Sequence, residues 1–142
     1  MRFDYFEVMA RAKKKYTRAM EPVCRQWDLT KNELDVVLFL ANNPEFDRAA
    51  DVVTHRGMTK SHVSLSVANL ENRGILIRQT DPDDRRTIRL ELTDRGQAVA
   101  AEGRTLQGTF FRQLFQGITR DDMDFWMKML ERICENIDEI PE

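Results

Sequence analysis

The chain has 142 residues, 42% of them apolar and 32% charged, with 6 Gly and 4 Pro; this suits one compact, helix-rich domain and excludes collagen, a low-complexity tail and a disordered acidic segment. The net charge of −2 taken alone argues against a nucleic-acid partner, so its distribution carries more information than its sum. Residues 1–47 hold 8 basic and 8 acidic side chains, residues 48–95 hold 9 and 7, and residues 96–142 hold 5 and 9, which puts the positive excess in the middle third.

From Phe3 to about Trp27 the sequence has no Gly and one Pro, Pro22, which predicts a long first helix with a bend near its end. In Leu29-Thr30-Lys31-Asn32-Glu33 the Thr30 side chain can cap a helix start while Glu33 returns to the Thr30 amide, so a second helix begins there. Leu34, Val37, Leu38 and Leu40 to Ala41 form its buried stripe, and Asn42-Asn43-Pro44 stops it, because a proline disfavours helical geometry in the residue before it. Asp47 to Thr54 reads as a short third helix, with Asp47 as its cap and His55-Arg56-Gly57 as the break. Thr59 caps a fourth, whose Val63, Val67 and Leu70 fall at i, i+4 and i+7 and which ends at Arg73-Gly74, a basic last turn before a C′ glycine. Its opposite face carries Lys60, Ser61, His62, Ser64, Asn69 and Arg73; only Glu71 interrupts a surface otherwise short of carboxylates.

After Gly74 the period falls from 3.6 to 2. Ile75, Ile77 and Gln79 alternate with Leu76 and Arg78, and Ile88, Leu90 and Leu92 alternate with Arg89 and Glu91, so two strands are expected. Thr80 to Thr87, with Pro82 and three Asp between them, suits the solvated tip of a hairpin. Thr93 or Asp94 caps the next helix, which carries Ala98, Ala100, Ala101, Leu106, Phe110, Phe111, Leu114 and Phe115 and ends or bends at Gly117. A last helix starts at Thr119 with Asp121 and Asp122 in its first turn, and Met123, Trp126, Met127, Leu130, Ile133, Cys134 and Ile137 line one broad face. That stripe reads as core shared with a second copy rather than as a cofactor box.

Helix, tight turn, helix, strand, polar loop and strand over residues 47–92 make a winged helix-turn-helix, and the fold class is mainly α with a small β-hairpin wing. Such a unit lays the Thr59 to Arg73 helix into a major groove about 12 Å wide while the hairpin loop reaches the neighbouring minor groove. Ser61, Ser64 and Ser66 are small enough for close approach and can bond phosphate or base edges, and Lys60 adds charge where a helix N-terminus already favours phosphate.

The stretch MTKSHVSLSVANLENRGILIRQTDPDDRRTIRLELTDRG resembles the MarR family of transcription regulators. Three landmarks carry the resemblance: Thr59-Lys60-Ser61 at the start of the recognition helix, the wing pattern Asp-Pro-x-Asp-Arg-Arg over Asp81 to Arg86, and Leu-Thr-x-x-Gly over Leu92 to Gly96. The likeness covers nearly the whole chain. It implies one domain over 1–142, with a winged DNA-binding lobe at about 30–95 and dimerisation helices at about 1–28 and 96–142. It further implies a homodimer that binds double-stranded DNA at a pseudo-palindromic operator, most often as a repressor; a cytoplasmic place is expected separately, from the lack of a bilayer-length apolar run and of a signal-peptide order. By position, Arg86 resembles the wing arginine that enters the minor groove, Asp84 the carboxylate that orients it, and Arg85 a phosphate contact. On the helix the residues set toward DNA are Thr59, Lys60, Ser61, His62, Ser64 and Leu65. Many members carry arginine at the positions of Leu65 and Asn69; this chain does not, which leaves His62, Ser64 and Ser61 as base readers, in part through water. A ligand-responsive member takes a small aromatic or phenolic effector where the dimer helices meet the lobe, with Tyr16, Trp27 and Phe39 as walls.

Other readings are weaker. Without context, Arg85 and Arg86 suit a solvated hairpin tip paired with Asp83 and Asp84. His55 and His62 are seven residues apart with no carboxylate or Cys to complete a metal site, so neither a metal nor a cofactor is expected. Cys24 and Cys134 are 110 residues apart and indicate no disulfide framework. Cys24 has one adjacent cation, Arg25, which is slight warrant for a redox thiolate. The chain shows no Gly-rich phosphate loop and no Ser-His-Asp arrangement, so no enzyme is expected. No apolar run approaches the ~20 residues that cross a bilayer, and the basic cluster follows the first apolar residues, the reverse of a signal peptide. The rival from another class is a winged-helix module that binds a partner protein instead of DNA.

Overall fold

A computed structural model describes residues 4–142; Phe3, the expected start of the first helix, lies outside the described residues. The elements in chain order are α1 (Tyr5–Trp27), α2 (Lys31–Asn42), α3 (Ala49–Arg56), α4 (Lys60–Asn72), β1 (Leu76–Thr80), β2 (Ile88–Leu92), α5 (Asp94–Leu114) and α6 (Arg120–Asp138). The chain falls into two compact units, one reaching to Phe110 and the other Phe111–Glu142. Among the described residues, no helix is long and apolar enough to cross a membrane.

In the first unit α1 starts at Asp4, whose carboxylate accepts from the amides of Phe6 at 2.8 Å and Glu7 at 3.4 Å. The helix runs through Pro22 as one element and stops where Asp28 takes a left-handed φ of 51°. The α2 start has the expected reciprocal cap: the Glu33 amide donates to the Thr30 hydroxyl at 3.1 Å, and the Thr30 amide to the Glu33 carboxylate at 3.0 Å. Instead of one buried stripe, α2 is buried almost all round, with Val36 and Phe39 enclosed along with Leu34, Val37, Leu38 and Leu40. The cause is its central place: α1, α4 and β2 all pack on it, and a helix apolar on every side is stable only when surrounded.

The third helix begins two residues later than the sequence suggests. Asp47 is not its cap; Arg48 is, with its amide bonded to the Asp51 carboxylate at 3.0 Å. Gly57 closes α3 at φ 61°. Thr59 caps α4, its hydroxyl accepting from the His62 amide at 3.2 Å, and Val63, Val67 and Leu70 are buried as expected. The strands pair antiparallel from Leu76↔Leu92 to Thr80↔Ile88. β1 starts one residue late because the Ile75 amide is still bonded to the Leu70 carbonyl, at 2.9 Å, in the turn leaving α4. Ile75 and Leu76 are therefore both buried, and the alternation expected from Ile75 onward fails at its first step.

Thr93 and Gly96 fasten α5 to that turn. The Thr93 hydroxyl donates to the carbonyls of Gly74 at 2.6 Å and Ile75 at 3.0 Å, and accepts from the Gly96 amide at 3.2 Å. In the second unit the Thr119 cap of α6 is reciprocated by Asp122. Phe115 lies 5.5 Å from Trp126 and 6.3 Å from Phe111, ring to ring. No residue of α6 is buried.

Candidate nucleic-acid interface

The turn between α3 and α4 needs a left-handed residue, which Gly57 supplies without a side-chain penalty. It delivers α4 with its first turn in solvent and free of acidic residues, an arrangement that favours an anion at the helix start. Thr59, Lys60, Ser61, His62, Ser64 and Leu65 are all exposed, so the structure brings the expected helix residues onto one accessible surface. Three others leave it. Ser66 is 4% exposed and belongs to the interior. The Asn69 carboxamide donates to the buried Glu33 carboxylate at 3.1 Å. The Arg73 guanidinium donates to the carbonyls of Trp27 and Asp28, where it satisfies the end of α1. A 3.6-residue period leaves such flank positions undecided; Glu33 of α2 decides Asn69, and the end of α1 decides Arg73.

The wing loop is held by its own carboxylates. Asp81 accepts from the Asp83 amide at 2.9 Å. Asp84 accepts from the Arg86 amide at 3.0 Å and from the Thr87 hydroxyl at 2.8 Å. These bonds hold the Asp84 carboxyl below the usual aspartate range, the Arg86 amide contributing most. Asp84 thus orients the backbone that carries Arg86 and grips Thr87. Arg85 and Arg86 are exposed, and the ion pairs of the hairpin fall to Arg78 and Arg89.

Arg89 is a structural residue that sequence reasoning missed. Its Nε donates to Asp81 at 2.9 Å, and its Nη1 to both oxygens of Asp47 at 2.9 and 3.0 Å. The Leu90 amide also donates to the Asp47 carbonyl at 2.7 Å. Asp47, expected to cap α3, instead ties the segment before α3 to β2, while Asp81 ties β2 to the loop. The alternation of β2 marks the position of Arg89, but not a partner 42 residues away.

A cleft of about 780 Å³ lies between α3, α4 and the hairpin, walled by Ala50, Val53, Val67, Ile88 and Leu90 and edged by Lys60, Ser61, Ser64 and Arg78. The aromatic residues expected to wall an effector cleft are otherwise engaged. Phe39 is 1% exposed and belongs to the core. The Trp27 indole donates to Glu102 at 3.0 Å, and the Tyr16 hydroxyl accepts from Gln107 at 2.7 Å. His55 lies 4.3 Å from Phe46, ring to ring. Burial raises the pKa of the Cys24 thiol, the direction opposite to thiolate activation.

The sequence profile of the MarR family matches residues 27–87, from the end of α1 through the wing loop. The HTH-type transcriptional repressor IacR of Pseudomonas putida is 23% identical over 133 residues, 94% of this chain and 79% of its own length. The MepR–DNA complex of S. aureus shares the fold with a TM-score of 0.78 at 15% identity, covering 95% of this chain and 97% of that one. CouR of Rhodococcus jostii RHA1, bound to p-coumaroyl-CoA, shares it with a TM-score of 0.76 at 21% identity, covering 92% and 91%. The matched segment holds the capped α2, the Gly57 turn, the exposed face of α4 and the wing loop, and over these residues the chain resembles the MarR family.

Proposed function

We propose that this chain is a homodimeric transcriptional repressor that binds a pseudo-palindromic duplex through Thr59, Lys60, Ser61, His62, Ser64 and Leu65 of α4 and Arg85 and Arg86 of the wing. One observation carries the reading: an acid-free helix start and two exposed arginines are presented together, while the neighbouring Asp81 and Asp84 are spent on loop backbone and Arg89. Lys60 and the first amides of α4 meet phosphate. Arg86 enters the minor groove, whose negative potential favours a guanidinium. IacR is a repressor and MepR is seen with DNA, which supports the same activity here.

Dimerisation supplies the second lobe. α6 exposes Phe125, Trp126, Met127, Met129, Ile133 and Ile137, more apolar side chain than a lone soluble helix leaves in water. Two reading helices fit one face of a duplex only when about one helical turn, ~34 Å, apart. A small aromatic or phenolic effector, of the kind p-coumaroyl-CoA exemplifies for CouR, acts by changing that spacing.

Fluorescence anisotropy with duplexes selected from a random pool tests the reading. Affinity falls by about three orders of magnitude between ~50 and ~200 mM salt if several phosphates are contacted. Arg86→Ala lowers it about tenfold with an unchanged thermal melt. Salt-insensitive binding, or full affinity in Arg86→Ala, contradicts it.

A further inference from the structure

Between Ser61 and Leu65 the outward face of α4 carries no side chain that reads a purine in a pair of hydrogen bonds; Lys60 stands before that stretch and Asn72 in the last turn of the helix. Bidentate contact with guanine takes a guanidinium or an ammonium, and with adenine a carboxamide. Asn69, the carboxamide in the middle of the helix, is committed to Glu33 at 3.1 Å, and Arg73 to the end of α1. What remains exposed from Lys60 to Leu65 is one ammonium in the first turn, beside the helix amides that attract phosphate, then two serine hydroxyls, an imidazole and an isobutyl group. Serine hydroxyls bond either donor or acceptor edges and discriminate little.

Leu65 is the exception. It is 62% exposed, one turn after Ser61 and next to Ser64, so the side chains flanking it are too short to keep the helix away from base edges. Single exposed leucines are ordinary on protein surfaces. This one closes the set Thr59–Leu65 proposed to enter the groove, where it can neither accept nor donate a hydrogen bond. Of the four base edges in the major groove, thymine alone offers an apolar partner, its C5-methyl.

We infer that Leu65 is the specificity-determining residue of α4 and reads a thymine C5-methyl in each half-site. This rests on the duplex-binding reading above and narrows it: sequence information taken by the helix concentrates at a T·A pair.

Deoxyuridine replaces thymine without changing its pairing and removes only the methyl. With a duplex selected by the wild-type protein, each thymine of one half-site is replaced in turn and binding is measured by anisotropy. One position is expected to lose about fourfold in affinity, the worth of one buried methyl-sized group. Leu65→Ala is expected to bind the uracil and thymine duplexes equally, with a thermal melt matching wild type because the side chain is exposed. Wild-type binding that ignores every uracil, or a loss that persists in Leu65→Ala and so arises from duplex shape, overturns the inference while leaving duplex binding in place. Absence of any selected duplex overturns the inference together with the reading it rests on.

Discussion

A β-carbon on Gly96 would stand 2.2 Å from the Ile75 carbonyl oxygen, well inside the distance at which atoms repel, so glycine is required for α5 to lie against the turn leaving α4. The Leu-Thr-x-x-Gly landmark is therefore a packing device: Leu92 is buried, Thr93 bonds two carbonyls of that turn, and Gly96 permits the approach. Gly96→Ala is expected to cost about 1–3 kcal/mol, the range for overpacking, read as a lower urea midpoint; an unchanged midpoint contradicts the packing. Asp84 gives a second prediction at this scale. Its carboxyl is held below the ordinary aspartate value of 3.8, first by the Arg86 amide and then by the Thr87 hydroxyl. Because the folded value is the lower one, the loop's stabilisation is present above the unfolded value and is lost as pH falls through the folded one. The Arg86 amide resonance should accordingly titrate with a midpoint below 3.8, and a midpoint at or above that value would show that the bond is not made in solution.

At the scale of elements, the wing is braced to the helical lobe through Arg89. The guanidinium spans Asp47 and Asp81, carrying the hairpin and the segment before α3 as one piece. Arg89→Gln keeps a donor but loses the fork, and planar two-sided pairing of carboxylates is specific to arginine. Its expected result is faster amide exchange over residues 81–88 and weaker duplex binding, with the exchange of α2 unchanged; exchange at wild-type rates in the wing would show that the loop needs no brace. Local chemistry made most elements legible in advance. The Thr30–Glu33 box, the Thr59 and Thr119 caps and the positive-φ glycines at 57, 74 and 117 act within a few residues, so sequence spacing displays them. Long-range pairing hid the rest. Asp47 looks like a cap until Arg89 is beside it, Asn69 looks like part of the outward polar face until Glu33 is, and Ser66 looks like an outward hydroxyl until α4 is packed. In the candidate interface, the facing of the residues from Thr59 to Leu65 was visible, but the inward turn of Ser66, Asn69 and Arg73 was not.

On the scale of the whole molecule, each unit has a different demand. The unit reaching to Phe110 contains the buried core, from Met20 through Leu38 and Leu70 to Val99, and carries α4 and the wing. The unit Phe111–Glu142 buries none of α6 and leaves Trp126 43% and Phe125 66% exposed, which a second copy would cover in a two-fold assembly. In the proposed dimer, duplication also supplies specificity, because one lobe reads only a short stretch and two in fixed relation read a spaced pair. Selection of bound duplexes from a random pool, followed by sequencing, tests duplex recognition and its symmetry at once. The expected winners carry two inverted half-sites with centres about one helical turn apart, ~34 Å. A pool that shows no enrichment, or a single half-site without a mate, contradicts the account.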